Sequence, residues 1–533
     1  MAFCRPIKTS FGDFLVKMAF VASLSDAWPL SGGGLALGLV SLAAVAGLQF
    51  LVFIPLRSPL SRVPGPPPSS FIFGHVLDIL ARVDGWSLVG DFPEPHMSYL
   101  KQFGRAVHLR MFTTETVHFT DPKAVQHILT SSLYERDSVG QVLAQEMTLG
   151  VGLLSAEGAA HDTQRKTLNP HFGIDHVKDS LNIVGAVASR CSKTILANAA
   201  STNTPLDLAL VLKQVMLSAV GLTTLEYDFS INPAALEAYQ NFQLNVSNPI
   251  ILMGVTTIPW FTSLPLPSFQ RRRRARTALR EIITDVIQTK LNTQTHRSLD
   301  LLDRMLNANM DSQEAIVHVM TFMFAGHETT SAALSWAFTE LGAHPDVAKR
   351  VRDEACAALA THGALDNWDA LEDLPFTKAV IQETLRLHPI LPFLMPRVAT
   401  VDSVIPMSDG SSVSVPKGTN VVVVAAVMHR DPAFWSQPEA FLPERFVKGS
   451  PLYEEDFKRR WGKSYVLHYL PFGGGVKNCI GQRFAMAELQ LVLATFVAQF
   501  DFRLTAGANC HAKYNVLTTA PTQLEMTVQP WSK

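Results

Sequence analysis

Apolar positions fall into a few long runs along this chain, and charge is missing from two of them. No charged side chain stands between Asp26 and Arg57. Within that stretch, residues 35–56 read LALGLVSLAAVAGLQFLVFIPL, long enough to cross a hydrocarbon layer roughly 30 Å thick. The run predicts a single transmembrane helix. A cleaved leader would have a shorter apolar core, nearer Met1. Arg57, Ser58 and Pro59 end the run, and the stiff segment VPGPPP at 63–68 cannot continue a helix. Arg5, Lys8 and Lys17 precede the span and Arg57 and Arg62 follow it, so the positive-inside rule assigns no orientation.

Beyond the hinge the period is mostly helical. Residues 312–341 form one long apolar helix, capped at Asp311 or Ser312. Residues 484–500 form another. The β-branched and aromatic stretch HLRMFTTETVHFT at 108–120 predicts a hairpin, and 411–415 and 420–424 predict strands. The second chargeless stretch, 238–270, carries Trp260, Phe261 and several aliphatic residues. Pro249, Pro259, Pro265 and Pro267 exclude a straight spanning helix there, and Arg271 to Arg274 and Arg276 follow. Two readings stay open. The segment dips into a membrane surface while the arginines meet phosphate headgroups, or it packs on the core beside a solvated helix face.

Composition narrows the partners. Lys plus Arg (45) nearly equal Asp plus Glu (46) over 533 residues, so nothing points to nucleic acid. Charged residues are 17% and mean hydropathy is +0.15, values that fit a membrane segment or a large apolar interior. The cysteines Cys4, Cys191, Cys356, Cys479 and Cys510 are scattered without a CxxC pair, which excludes a disulfide framework and fits a reducing compartment.

The chemistry concentrates in PFGGGVKNCIG, residues 471–481. Gly473, Gly474 and Gly475 would let backbone N–H groups point at the sulfur of Cys479, and the following helix brings its positive end there. Gly481 leaves room for a flat ligand. Phe472, Gly475, Cys479 and Gly481 match the signature Phe-x-x-Gly-x-x-x-Cys-x-Gly, and the chain resembles the cytochromes P-450. A second motif, Ala325-Gly326-His327-Glu328-Thr329-Thr330, interrupts the long apolar helix with polar groups that need partners. Thr329 can return its hydroxyl to the carbonyl of Ala325 and loosen the helix. Glu383 and Arg386 share a helix face at i, i+3, and Pro443-Glu444-Arg445-Phe446 lies downstream.

The resemblance covers nearly the whole chain from Pro64 onward. It implies a mainly α fold with small β-sheets, preceded by one transmembrane helix. The implied organisation is a tail at 1–29, an anchor at 30–56, a Pro-rich hinge at 57–68 and a haem-binding monooxygenase domain at 69–533. Cys479 would be the axial ligand of the iron of haem b, iron protoporphyrin IX. Thr329 and Glu328 would handle protons during oxygen chemistry, with Ala325 and Gly326 leaving space for dioxygen. Arg165, His161, Arg397 and Lys477 would hold the haem propionates, although His161 stands where tryptophan is usual and Lys477 where arginine is commoner. Glu383, Arg386 and Arg445 would form a structural clamp.

The segment 142–149 with Phe322, Ala325, Ile390, Leu391, Phe393 and Leu394 would line an apolar pocket for a lipophilic terpenoid, polyketide or fatty-acyl substrate in specialised metabolism. Electrons would come from a separate NADPH-dependent reductase, with the catalytic domain on the cytosolic side of the endoplasmic reticulum. Under that topology the sequon at Asn245 carries no glycan. Two rivals remain: an isomerase or dehydratase on the same scaffold, and a haem sensor without turnover.

Overall fold

The computed structural model describes Ser41 and residues 58–531, except 71–72, 81–91, 113, 244–250, 252, 256–257, 259, 294–299 and 515–516. The expected anchor at 30–56, Ser41 apart, and the sequon at Asn245 lie outside the described residues.

Helices dominate, with small sheets beside them. Those that position the site are α1 (Ser138–Thr148), α2 (Gly158–Leu168), α3 (Ile174–Cys191), α4 (Leu208–Leu225), α5 (Pro233–Phe242), α6 (Pro267–Thr293), α7 (Ser312–Ala343), α8 (Pro345–His362), α9 (Pro375–Leu387) and α10 (Gln482–Val497). The expected hairpin is present as β1 (Ala106–Met111) and β2 (Thr114–Phe119). With β3 (Tyr134–Arg136), β4 (Arg397–Ala399) and β5 (Asn420–Val423) it makes a five-stranded sheet ordered β1-β2-β5-β4-β3. The β2 and β5 strands run parallel, and β3 pairs antiparallel with β4.

The long helix α7 is the spine. Asp311 caps it by accepting from the N–H groups of Gln313 at 2.8 Å and Glu314 at 3.4 Å. A helix apolar on all sides must be buried, and α7 contributes to two separate cores. Its first half (Ala315, Ile316, Val319, Met320, Met323) packs with α5 and α6. Its second half (Leu334, Trp336, Phe338, Leu341) packs with α3, α8, α9 and α10. Between them Ala325, Gly326, Glu328 and Thr329 are only partly covered. The polar motif thus sits where the two cores part.

The helix α4 is long and apolar enough to span a membrane, with mean hydropathy 1.7, yet it is a core helix packed along α7. That packing corrects one expectation. A Cβ at Gly326 would stand 2.9 Å from Val220 Cγ2 on α4, so this glycine serves helix contact and does not open space for dioxygen.

In α10, Glu488 is 2% exposed among Ala487, Leu489 and Leu491, and its Oε1 has no hydrogen-bond partner. Burial pushes its carboxyl up to about 8. A raised folded pKa means the native state holds a proton that the unfolded chain releases above the ordinary carboxyl value of 4.5. Stability from this group is therefore complete below about pH 4.5 and lost as pH climbs toward 8. In denaturant titrations, Glu488→Gln should flatten this fall and gain a few kcal/mol, at about 1.4 kcal/mol per pH unit, over the wild type at pH 8 relative to pH 5.

Candidate active site

The cysteine loop is held by its own backbone. Cys479 N–H donates to Phe472 O at 2.9 Å and Asn478 N–H to Gly475 O at 3.3 Å. Gly475 has φ of 70°, and a Cβ there would lie 2.1 Å from Leu129 O, so no side chain fits. The glycine run therefore shapes the turn. The Gly481 N–H, two residues past the cysteine, favours the thiolate form of the sulfur. The Cys479 side chain is solvent-accessible yet deeply surrounded by protein, which places it on the floor of a cleft. Burial pushes its thiol up, opposed by the Gly481 N–H and Arg165. A Cβ at Gly481 would meet nothing nearer than Phe172 Cε1 at 4.0 Å, so the space beside this residue is open. The Phe172 ring also lies 5.0 Å from that of Phe322 on α7, linking the cysteine loop to the spine.

A group of cations lies beside this loop. Arg165 on α2 donates to Asn478 O at 2.7 Å and to Asn478 Oδ1 at 2.8 Å. Lys477 pairs with Glu157. Arg397 donates to Ile128 O at 2.9 Å, and burial pushes it down to about 10. His161 is buried, its Nδ1 lies 3.1 Å from Asp162 Oδ1, and its Nε2 has no partner. Burial lowers the His161 pKa, which favours the neutral ring.

The structure adds Arg136, which the motifs did not reveal. It donates to Ala156 O at 2.8 Å and Glu157 Oε1 at 3.1 Å. Arg136 is the cross-strand partner of Arg397 in the β3–β4 pair. Two buried guanidiniums opposite each other repel and need anions. These donors and the orphan His161 nitrogen fit a flat cofactor that carries carboxylates at one edge.

On α7, Thr329 Oγ1 donates to Ala325 O at 2.7 Å, the expected return of the hydroxyl. Glu328 is partly exposed, 4.0 Å from Lys213 Nζ on α4. His327 turns away from them toward Tyr239 Oη on α5, its Nδ1 at 3.3 Å, and burial lowers it to about 4. The motif thus divides between a packing side and a polar side.

The clamp assembles as expected and gains a member. Glu383 accepts from Arg386 Nε at 2.7 Å, Arg445 Nε at 2.9 Å and the Leu442 N–H at 2.8 Å. Arg386 also donates to His429 O, Pro438 O and Ala440 O. Arg445 pairs with Asp456, which sequence reading missed because it lies in another helix with no motif around it. All four charged side chains are 0% exposed.

The expected pocket lining is only partly gathered. Leu143 and Met147 of α1 cluster with Val255, Ile251, Phe261 and Phe324. Phe393 instead packs on His96, with ring centroids 4.8 Å apart, and Ile390 belongs to the large core. Ile251, Val255 and Phe261 of the apolar stretch therefore pack inward, while Trp260 and Leu266 remain exposed. Arg272 is buried against Glu146 and Phe242 O and is not available to a headgroup.

The family model described as Cytochrome P450 matches residues 64–527. The chain belongs to the cytochrome P450 family. It is 29% identical to cytochrome P450 monooxygenase 91 of Postia placenta, over 86% of this chain and 91% of the relative. It is also 29% identical to a ganoderic acid synthetase of Ganoderma lucidum, over 88% and 92%. A mouse relative, cytochrome P450 3A11, is 26% identical over 83% and 85%. The protein is a P450 monooxygenase, and its family implies a haem–thiolate cofactor.

Glu383→Ala would leave Arg386 and Arg445 buried without their shared carboxylate, a loss of about 3–5 kcal/mol. The purified variant should carry little haem by absorbance. A fully loaded but slow variant would contradict the clamp role.

Proposed function

We propose that this chain is a membrane-anchored haem b monooxygenase that hydroxylates or otherwise oxidises a lipophilic small molecule. The substrate class is terpenoid, polyketide or fatty-acyl, in a tailoring step of specialised metabolism. Electrons come from NADPH through a separate reductase. Residues 30–56 anchor it in the endoplasmic reticulum, 57–68 form the hinge and 69–533 face the cytosol. The observation that carries the reading is an accessible, deeply set Cys479 beside the open space at Gly481 and a buried cation group.

Bound haem would supply oxygen activation, favoured by electron release from a thiolate ligand. The chain's own part follows from its residues. Cys479 would hold the group as its thiolate, the cation's charge offsetting the upward push of burial on the thiol. Arg136, Arg165, Arg397, Lys477 and the His161 Nε2 would hold its carboxylates, while Phe472 and Gly475 shape the loop. The Thr329 hydroxyl turns between Ala325 O and the pocket and presents a proton there. Glu328, partly exposed and near Lys213, exchanges protons with solvent and passes them inward. The cluster of Leu143, Met147, Val255 and Phe324 keeps the pocket dry for an apolar substrate. The ganoderic acid synthetase relative supports a biosynthetic step. Exposed Trp260 and Leu266 support contact of this segment with a lipid surface.

Reduced, carbon-monoxide-treated protein should show the absorption band of a haem–thiolate centre, and Cys479→Ser should lose it. With reductase, NADPH and a panel of lipids, mass spectrometry should find a product with one added oxygen atom. Product without reductase would favour an isomerase or dehydratase, and no turnover across the panel would favour a sensor.

In the same assay Thr329→Ala should cut product by about 100-fold while NADPH oxidation continues. Unchanged product yield would remove Thr329 from proton handling.

A further inference from the structure

We propose that Glu157 sets the charge of the cofactor-carboxylate site, acting as a fixed counter-charge among Arg136, Arg397 and Lys477. This rests on the haem reading above. Glu157 precedes α2 at the helix N-cap, where an acidic side chain would ordinarily bond the first free N–H groups. Here it makes no cap bond. Its Oε1 accepts from Arg136 Nη1 at 3.1 Å and its Oε2 pairs with Lys477 Nζ. The three side chains are nearly closed to solvent, at 14% for Glu157, 8% for Arg136 and 11% for Lys477. Arg397 also feels the Glu157 charge and stands directly across the strands from Arg136.

The one carboxylate thus lowers the net positive charge of the Arg136, Arg397 and Lys477 cluster by one while leaving it cationic, as a site for anionic groups requires. Arg165, bonded to Asn478, adds a further positive charge to the same edge that Glu157 does not contact. Without Glu157 the site would carry a surplus cation in a low-dielectric setting, where each charge acts strongly. Glu157 also explains how a lysine works two residues before the cysteine. Lysine lacks the guanidinium fork that would fix it on a carboxylate, and Glu157 holds its ammonium in place. Glu157 is a positioning residue: no proton or electron passes through it.

A surplus positive charge stabilises the electron-rich cofactor, so the reduction potential reports on Glu157 directly. The experiment is spectroelectrochemical titration of the holoprotein in wild type, Glu157→Gln, Lys477→Gln and the double variant. Glu157→Gln should shift the potential positive and Lys477→Gln negative. The double variant restores the wild-type net charge and should return close to wild type, although both ion-pair partners are gone. A purely structural ion pair predicts destabilised proteins with unmoved potentials, which would overturn the proposal. So would an unmoved potential with slower haem transfer to an apo-globin acceptor in Glu157→Gln, since Glu157 would then be displaced by the cofactor. Loss of haem from Glu157→Gln that the double variant does not repair would overturn it as well. Absence of the haem–thiolate band in wild type would sink the haem reading itself. A normal band with unmoved potentials would sink only the role of Glu157.

Discussion

Four charges with no access to water hold the cysteine end of this molecule together. Glu383 binds Arg386 within its own helix and Arg445 across a gap of some sixty residues, and Arg445 reaches on to Asp456. Taking such ions out of water is costly, and their attraction repays it only when every donor and acceptor is matched. Here the matching is dense. The carbonyls of His429, Pro438 and Ala440 accept from Arg386, and that of Ser436 accepts from Arg445. The arrangement is all-or-none, because removing one member strands the others. It joins α9 to the segment 429–456 before the cysteine loop, and His429 Nε2 in turn accepts the N–H of Leu470 just ahead of that loop. The thiol inherits its position from this network.

A second electrostatic problem is solved differently. Arg136 and Arg397 face each other across two paired strands and cannot separate without breaking the sheet. The chain meets their repulsion with one carboxylate, Glu157, and leaves a net positive edge. The clamp is neutral by itself, whereas this cluster is not, and that difference marks one as scaffold and the other as a place for an anionic group. The orphan Nε2 of His161 points to the same conclusion.

The two halves of α7 belong to different cores, and the polar motif occupies the seam. A hydroxyl that returns to the carbonyl four residues back weakens a helix locally, and the cost is tolerable where neither core grips it. Glu328 reaches partial solvent at that seam and His327 turns to Tyr239 on the packed side. Proton handling and helix packing are thereby separated on adjacent residues.

Much of this was legible in the chain before folding. Helix periods, the hairpin, the Asp311 cap, the cysteine signature and the Glu383–Arg386 pair depend on neighbours a few residues apart, and local patterns carry such information. Other features depend on contacts between distant segments. Arg136 and Asp456 became visible only when strand pairing and helix packing brought them to Arg397 and Arg445. Gly326 looked like space for a small ligand because the chain does not reveal that Val220 lies against it. Phe393 looked like pocket lining until the sheet turned it toward His96. The sequence by itself determined which chemistry the protein carries, since a thiol, a hydroxyl and a carboxylate at fixed spacing are local facts. Only the tertiary structure decided which charges share a site and how many remain uncompensated, because Coulomb energy follows distance in space and burial, not order along the chain.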